Sequence, residues 1–354
     1  MTLLRSLTLL SSLSIYAVPT LAAQPHVSFT HGEWEIYCTN TGTCRAAGYQ
    51  LDEGDHVPAS MLLTRQAGAN QIVNADIVLS IHHEDMLEEY LKNIHFYLNG
   101  KDLGKVNFLN DDVVLMGKLN PSQVQALLKN PQQANQIVFK NSKYIWQISD
   151  KGMTAVLLKM DDFQQRIGTT GALVRKGKLS EHKVLAAQPK LQVKKIVIPE
   201  SAFKVVQPDQ PEYALLAKKL AASLQKDGMC EGDFTANSDK NQKESISLYK
   251  LNDQQVLATS LCWRAAYNEG YGAWVINKNF SGTATFISDS VSGIASGQLY
   301  SWQKGRGIGD CIASSVWTWN GKAFILTEDR WSGMCKGLTI GGVWSLDLIE
   351  AQIK

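Results

Sequence analysis

Residues 34–51 read WEIYC-TNTGT-CRAAGYQL. Trp34, Ile36 and Cys38 alternate with Glu35 and Tyr37, the two-residue period of a strand. A Thr/Asn/Gly turn follows, and a second β-rich run leads back. The stretch predicts a hairpin clipped by Cys38 and Cys44, and it sets the fold class as mainly β. Working outward, ASMLLTRQA (59–67) and IVNADIVLSI (72–81) are further β-rich runs. NIHFYL-NG-KDLGKV (93–106) turns at Asn99-Gly100, the strongest short hairpin signal. IVFKNSKYIWQIS (137–149) predicts a hairpin turning at Asn141-Ser142.

Helical spacing interrupts this pattern three times. Asn120, Pro121 and Gln123 start a helix through a capping box, with Val124, Leu127 and Leu128 as its apolar stripe. Val156, Leu157, Met160, Phe163 and Ile167 predict a second over 153–167, stopped by Gly168. A third spans about 210–227. Asp209 and Glu212 form a capping-box-like pair there, Leu215, Leu216, Leu220 and Leu224 share a face, and Gly228 ends it.

From Cys230 the composition changes. Trp263, Trp274, Trp302, Trp317, Trp319, Trp331 and Trp344 all fall there, and no helical period persists. SSVWTW-NG-KAFILT (314–327) predicts a hairpin whose two-residue turn sets Trp317 opposite Phe324. The chain therefore reads as two disulfide-stabilised β-rich domains with a few short helices. An N-terminal domain covers 24–175, a basic, proline-containing connector covers 176–208, and a helix followed by a Trp/Gly/Cys-rich β domain covers 209–354.

Charge and address narrow the class of function. The 354 residues carry a formal net charge of +2, and charged residues are 19%. A nucleic-acid binder usually shows a clear basic excess, so none is expected as partner. Residues 1–22 predict a cleaved export signal: Arg5, an apolar stretch over 6–18, and small Thr20 and Ala22 before the cut. No later run is long and apolar enough to predict a transmembrane segment. The expected location is the periplasm.

Six cysteines, Cys38, Cys44, Cys230, Cys262, Cys311 and Cys335, include no CxxC. In an oxidising compartment disulfides are the default. Of the 15 connectivities, local pairing of 38–44, 230–262 and 311–335 is expected. All seven histidines lie between His26 and His182 while four cysteines lie beyond 229, so no metal or cofactor site is expected. His82-His83-Glu84-Asp85 reads as a polar turn.

WEIYC…C at 34–44, LCWRAAYN at 261–268, GRGIGDC at 305–311, VWTWNGKAF at 316–324 and MCKG at 334–337 together resemble a bacterial family of periplasmic proteins, the domain-of-unknown-function family "eleven seventy-six". The resemblance covers nearly all of the mature chain. It implies export and structural cysteines, and carries no established activity. The first half is loosely similar to invasion-associated locus B-type proteins, through Trp34 ahead of Cys38, Arg65, the helix at 121–128, and Ser149–Gly152.

No coherent catalytic set emerges. With no histidine beyond 182, the second half cannot supply the base of a Ser/His/Asp triad, and GxSxG is missing. Gly305, Gly307 and Gly309 precede a strand pattern rather than the helix a dinucleotide loop needs. The aromatic set says more. Tyr267, Asn268, Tyr271, Trp274, Trp302, Trp317, Trp319 and Trp331 sit among glycines and polar residues, and such rings bring rigid apolar area at small entropic cost. Tyr267, Asn268 and Tyr271 fall in AYNEGYG, read as a loop. The expected function is a non-catalytic envelope binding protein whose partner is an unknown glycan or protein. Two alternatives stand: a cell-wall glycan hydrolase using carboxylates among Glu269, Asp310, Glu328 and Asp329, and a structural protein that blocks a partner enzyme.

Overall fold

The alternation at 34–51 becomes a hairpin in the computed structural model, which describes residues 26–52, 56–81, 92–111, 113–224, 230 and 243–354. β1 (Val27–His31) pairs with β2 (Trp34–Cys38), and β2 with β3 (Cys44–Tyr49), which sets Cys38 opposite Cys44 for their disulfide. β4 (Ala59–Arg65) and β5 (Val73–Ser80) extend this sheet. β6 (His95–Leu98) and β7 (Lys101–Lys105) form the Asn99-Gly100 hairpin. Its turn residues have φ of 53° and 79°, the positive values that a two-residue type I′ turn demands. β8 (Phe108–Asp111) and β9 (Val114–Lys118) return to the first sheet, whose order is β1-β2-β3-β4-β5-β9-β8. β10 (Ile137–Lys140) and β11 (Ile145–Ile148) join β6 and β7 in a four-stranded sheet.

α1 (Pro121–Leu127) carries the expected Asn120/Gln123 capping box. α2 (Met153–Phe163) stops four residues short of the predicted end. Gln164 and Arg166 turn fully inward there, and the Gln164 amide donates to the carbonyls of Gly42 and Arg65. Those buried polar bonds outweigh one more helical turn.

The second half follows. β12 (Leu191–Val193) and β13 (Lys204–Val206) come from the predicted connector. α3 (Tyr213–Ala221) differs from its prediction: Glu212 makes no side-chain cap bond and pairs instead with Lys204, and Leu215 is exposed. The buried stripe is Tyr213, Leu216, Ala217 and Leu220, while the predicted helix beyond Leu224 lies outside the described residues. β14 (Ile246–Lys250), β15 (Gln255–Arg264), β16 (Glu269–Asn277) and β17 (Thr285–Val291) complete a five-stranded sheet with β13. β18 (Gly293–Ala295), β19 (Gln298–Lys304), β20 (Ile312–Trp319), β21 (Phe324–Trp331) and β22 (Leu346–Ile353) form a six-stranded sheet with β12. In the β20–β21 hairpin Trp319, not Trp317, stands opposite Phe324. Asn320 Oδ1 accepts from the amides of Lys322 and Ala323 and holds a longer turn. A register moved by two residues keeps every side chain on its face.

Layering follows from alternation. On the seven-stranded sheet Ala46, Met61, Leu63, Ala75 and Ile77 meet α1, α2 and the four-stranded sheet. The interleaved Ala47, Tyr49, Leu62 and Val78 meet Leu338, Trp344 and Leu346 from the far end of the chain. With both faces covered, β4 is buried along almost its whole length, with only Thr64 partly exposed. The five-stranded sheet puts Leu248, Ala258, Cys262, Trp274 and Ile276 against α3, and Leu257, Ala273 and Val275 against the six-stranded sheet. All three disulfides are the local pairs: Cys38–Cys44, Cys230–Cys262 and Cys311–Cys335. Among the described residues no helix is long and apolar enough to cross a membrane. Residues 1–22, read as an export signal, and His82-His83-Glu84-Asp85 lie outside the described residues.

Candidate functional site

At one end of the five- and six-stranded sheets the apolar filling gives way to polar side chains. Leu257 packs against the six-stranded sheet, and two residues on, along the same face of β15, stands Thr259. Its cross-strand neighbours are Ser247 on β14 and Ala273 on β16. Tyr271 lies opposite Leu261. The result is a cleft of about 530 Å³, lined by Glu200, Ser247, Tyr249, Thr259, Tyr271 and Ile294 among others. Glu244 and Glu269 complete its acidic lining, and among the described residues no lysine, arginine or histidine lines it.

The acids differ in their partners. Arg264, at the end of β15, lies 3.3 Å from Glu244 Oε1 through Nη1 and 3.5 Å from Glu269 Oε2 through Nε. Glu200 Oε1 accepts from the Ser296 amide at 2.8 Å and from its hydroxyl at 3.3 Å. Thr259 is 6% exposed, and among the described residues its hydroxyl makes no hydrogen bond.

The predicted binding residues scatter. Tyr271 lines the cleft, but on strand β16 rather than in a loop. Tyr267 is exposed, and its ring covers Gly307 so closely that a Cβ there would come within 2.8 Å of it. Asn268 donates to the Lys304 carbonyl at 2.8 Å and accepts from the Lys304 amide at 2.9 Å. That two-way clamp ties the start of β16 to the GRGIGD loop. Trp302 is half exposed on β19. Trp274 and Trp319 are corrections to the predicted surface: both are fully buried, Trp274 beside Phe286 near α3 and Trp319 packed at a tilt against Phe324. Trp317 is partly buried against the core between the five- and six-stranded sheets. The strand period that makes these hairpins also turns those rings inward.

Trp331 belongs elsewhere, at the seam where the far end of the chain meets β2 and β3. Glu35 is buried there. It accepts from the Tyr49 hydroxyl at 2.6 Å, the Met334 amide at 2.9 Å and the Trp331 indole. Lys336, also buried, pairs with Glu33 and with Asp52 at 2.5 Å. Burial raises the Glu35 carboxyl above its ordinary range, and the three donors and Lys336 counter this only in part. A carboxyl raised by folding holds more proton in the native state, so its contribution is present below the unfolded value of 4.5 and lost as pH rises through the folded value. Glu35→Gln removes that titration. The stability of the parent relative to this variant should grow on acidification from neutral pH toward 4.5. Urea unfolding of both proteins across that range checks it, and a constant difference would refute it.

The remaining hydrolase candidates are engaged structurally. Burial raises the Asp310 carboxyl, but the Arg306 hydrogen bond, the Gly337 amide and the Arg306 charge overcome this and hold it low. Glu328 pairs with Arg330 at 3.6 Å, and Asp329 accepts from Ser315 at 3.1 Å. Asp310, Cys311 and Cys335 cluster within 4.8 Å, yet both sulfurs are spent in a disulfide and offer no thiolate to a metal.

Comparison with known proteins places these features in context. A family model described as "Protein of unknown function (DUF1176)" matches residues 28–349. The chain is 23% identical over 336 residues to "Uncharacterized protein YpfG" of Escherichia coli (strain K12), covering 85% of this chain and 88% of that protein. No solved structure matches.

Proposed function

The chain belongs to the DUF1176 family of proteins of unknown function, and on that premise we propose that it is a non-catalytic envelope binding protein whose cleft at Tyr271 seats a glycan fragment. One observation carries the reading. A concave surface of about 530 Å³ presents tyrosine rings, Ser and Thr hydroxyls and carboxylates on a sheet whose other face is anchored to α3. Sugars need that combination: a flat apolar face to cover and convergent donors and acceptors for the hydroxyls. Three disulfides suit an oxidising compartment, as the N-terminal signal pattern does. Binding rather than hydrolysis is favoured because Arg264 pairs with two of the three cleft carboxylates, Glu244 and Glu269, which leaves Glu200 without a second free carboxylate to work with.

Calorimetric titration with soluble peptidoglycan fragments tests the reading. Tyr271→Ala should weaken binding by about tenfold, the loss of about 1.4 kcal/mol of stacking. Thermal unfolding of the variant separates lost contact from lost fold. An unchanged Kd in a folded variant removes the cleft from consideration, and sustained release of reducing ends would replace binding with hydrolysis.

A further inference from the structure

Resting on the cleft as a glycan seat, we infer that its ligand carries a primary ammonium on a hydroxylated ring, that is, an amino sugar with a free amine. Among the described residues the lining includes three carboxylates, Glu200, Glu244 and Glu269, and no cationic side chain. Arg264 is the only cation that pairs with any of the three among the described residues, and it serves two of them. Glu200 has no ion pair there, and only its Oε1 is engaged, by Ser296. The cleft therefore carries excess negative charge on solvent-exposed carboxylates, a field that draws a cation to it. A neutral sugar leaves this charge unanswered; an ammonium satisfies it.

Two further features point the same way. Thr259 is 6% exposed and lines the cleft, and its hydroxyl makes no hydrogen bond among the described residues. That hydroxyl opens onto the cleft, where a ligand hydroxyl or amine would partner it. Tyr249 and Tyr271 add two aromatic rings to the same lining, and such faces attract cations as well as covering a sugar ring. Charge, an open hydroxyl and aromatic faces thus converge in one recess.

The test compares a glucosamine tetramer with an N-acetylglucosamine tetramer, at mildly acidic pH where the free amine is charged, using the full oxidised chain. The glucosamine form should bind on the order of tenfold tighter, the worth of one hydrogen bond to a charged group. Added salt should narrow the gap. Glu200→Gln with Glu269→Gln should abolish the preference, read as the ratio of the two tetramers' Kd values falling to about one. Equal binding of the two tetramers, or a preference that survives both substitutions, overturns the inference and leaves the cleft reading standing. Failure of both tetramers to bind overturns the cleft as a sugar seat.

Discussion

Arg166→Met should lower the free energy of unfolding by about 3–5 kcal/mol, because it strands a buried carboxylate. Arg166 is fully buried. Its Nε donates to Gln164 at 3.1 Å, Nη1 to Glu181 at 2.6 Å, and Nη2 to the Gly68 carbonyl at 2.5 Å. Arg65 lies alongside, donating to the Gln71 and Gly171 carbonyls and to Asp161 at 3.4 Å. Asp161 in turn accepts from the amides of Leu173 and Val174. Two guanidiniums thus balance two carboxylates inside the first half of the molecule. The balance is tight: burial first, and the neighbouring Arg166 charge second, lower Arg65 to about 10. Without Arg166, Glu181 keeps the Asn70 amide at 2.5 Å, and its one remaining cation among the described residues is Arg65 at 3.8 Å, which Asp161 already occupies. Methionine fills much of the volume but supplies no donor, so the loss is electrostatic rather than a cavity. Urea unfolding measures it. A shift within about 0.5 kcal/mol would mean that the cluster breaks even against water. Adding Glu181→Gln should recover part of the loss, since it removes the stranded charge, and the resulting cycle isolates the pair.

That cluster also marks where the sequence falls silent. Strands, the Asn99-Gly100 turn, the Asn120 cap and the local disulfide pairing rest on spacing within a few residues, and those were legible. Arg166 and Arg65 are 101 positions apart, and no local pattern announces that both turn inward toward Asp161 and Glu181. Glu35 shows the same limit. In WEIYC it occupies the polar phase of the alternation, which ordinarily faces water. It is buried because the chain returns some 300 residues later and lays Met334 and Trp331 over it. A signal was present in part: β3 and β4 are apolar on both phases, which implies two covered faces and so a covered Glu35 on the strand beside them. The cleft was half legible. Tyr271 and Glu269 stood out in AYNEGYG, but Glu200 and Glu244 reach the same recess from segments outside the strands, and Thr259 from β15. Tryptophan counting misled at Trp274 and Trp319, because a tryptophan on a strand between two packed layers has a core to fill before it has a surface to serve.

Replacing both Cys311 and Cys335 with serine should cost about 3.5 kcal/mol, on the view that a cross-link acts by restricting the unfolded chain. The sequence separation of 24 sets that figure, and serine keeps most of the side-chain shape. The consequence reaches past stability, because the bond joins two segments with different duties. One is the 305–310 loop, held by the Gly305 amide on Cys311, the Arg306–Asp310 pair and the Asn268 clamp on Lys304. The other carries Met334 to Glu35, and Lys336 to Glu33 and Asp52. Their coupling runs through the disulfide and the single bond from the Gly337 amide to Asp310 at 2.6 Å. Hydrogen exchange in the serine variant should therefore rise at both 305–310 and 333–337, while β4 and β5 keep their protection in the seven-stranded sheet. The same replacement at Cys38 and Cys44, only 6 positions apart, should cost less, about 2.4 kcal/mol by the same reasoning. If the short bridge proves the costlier one, native packing around those fully buried sulfurs, not chain entropy, sets the contribution. Hairpin register supports the entropic order: Cys38 and Cys44 already face each other across five β2–β3 pairs, so the fold would hold that geometry without the bond.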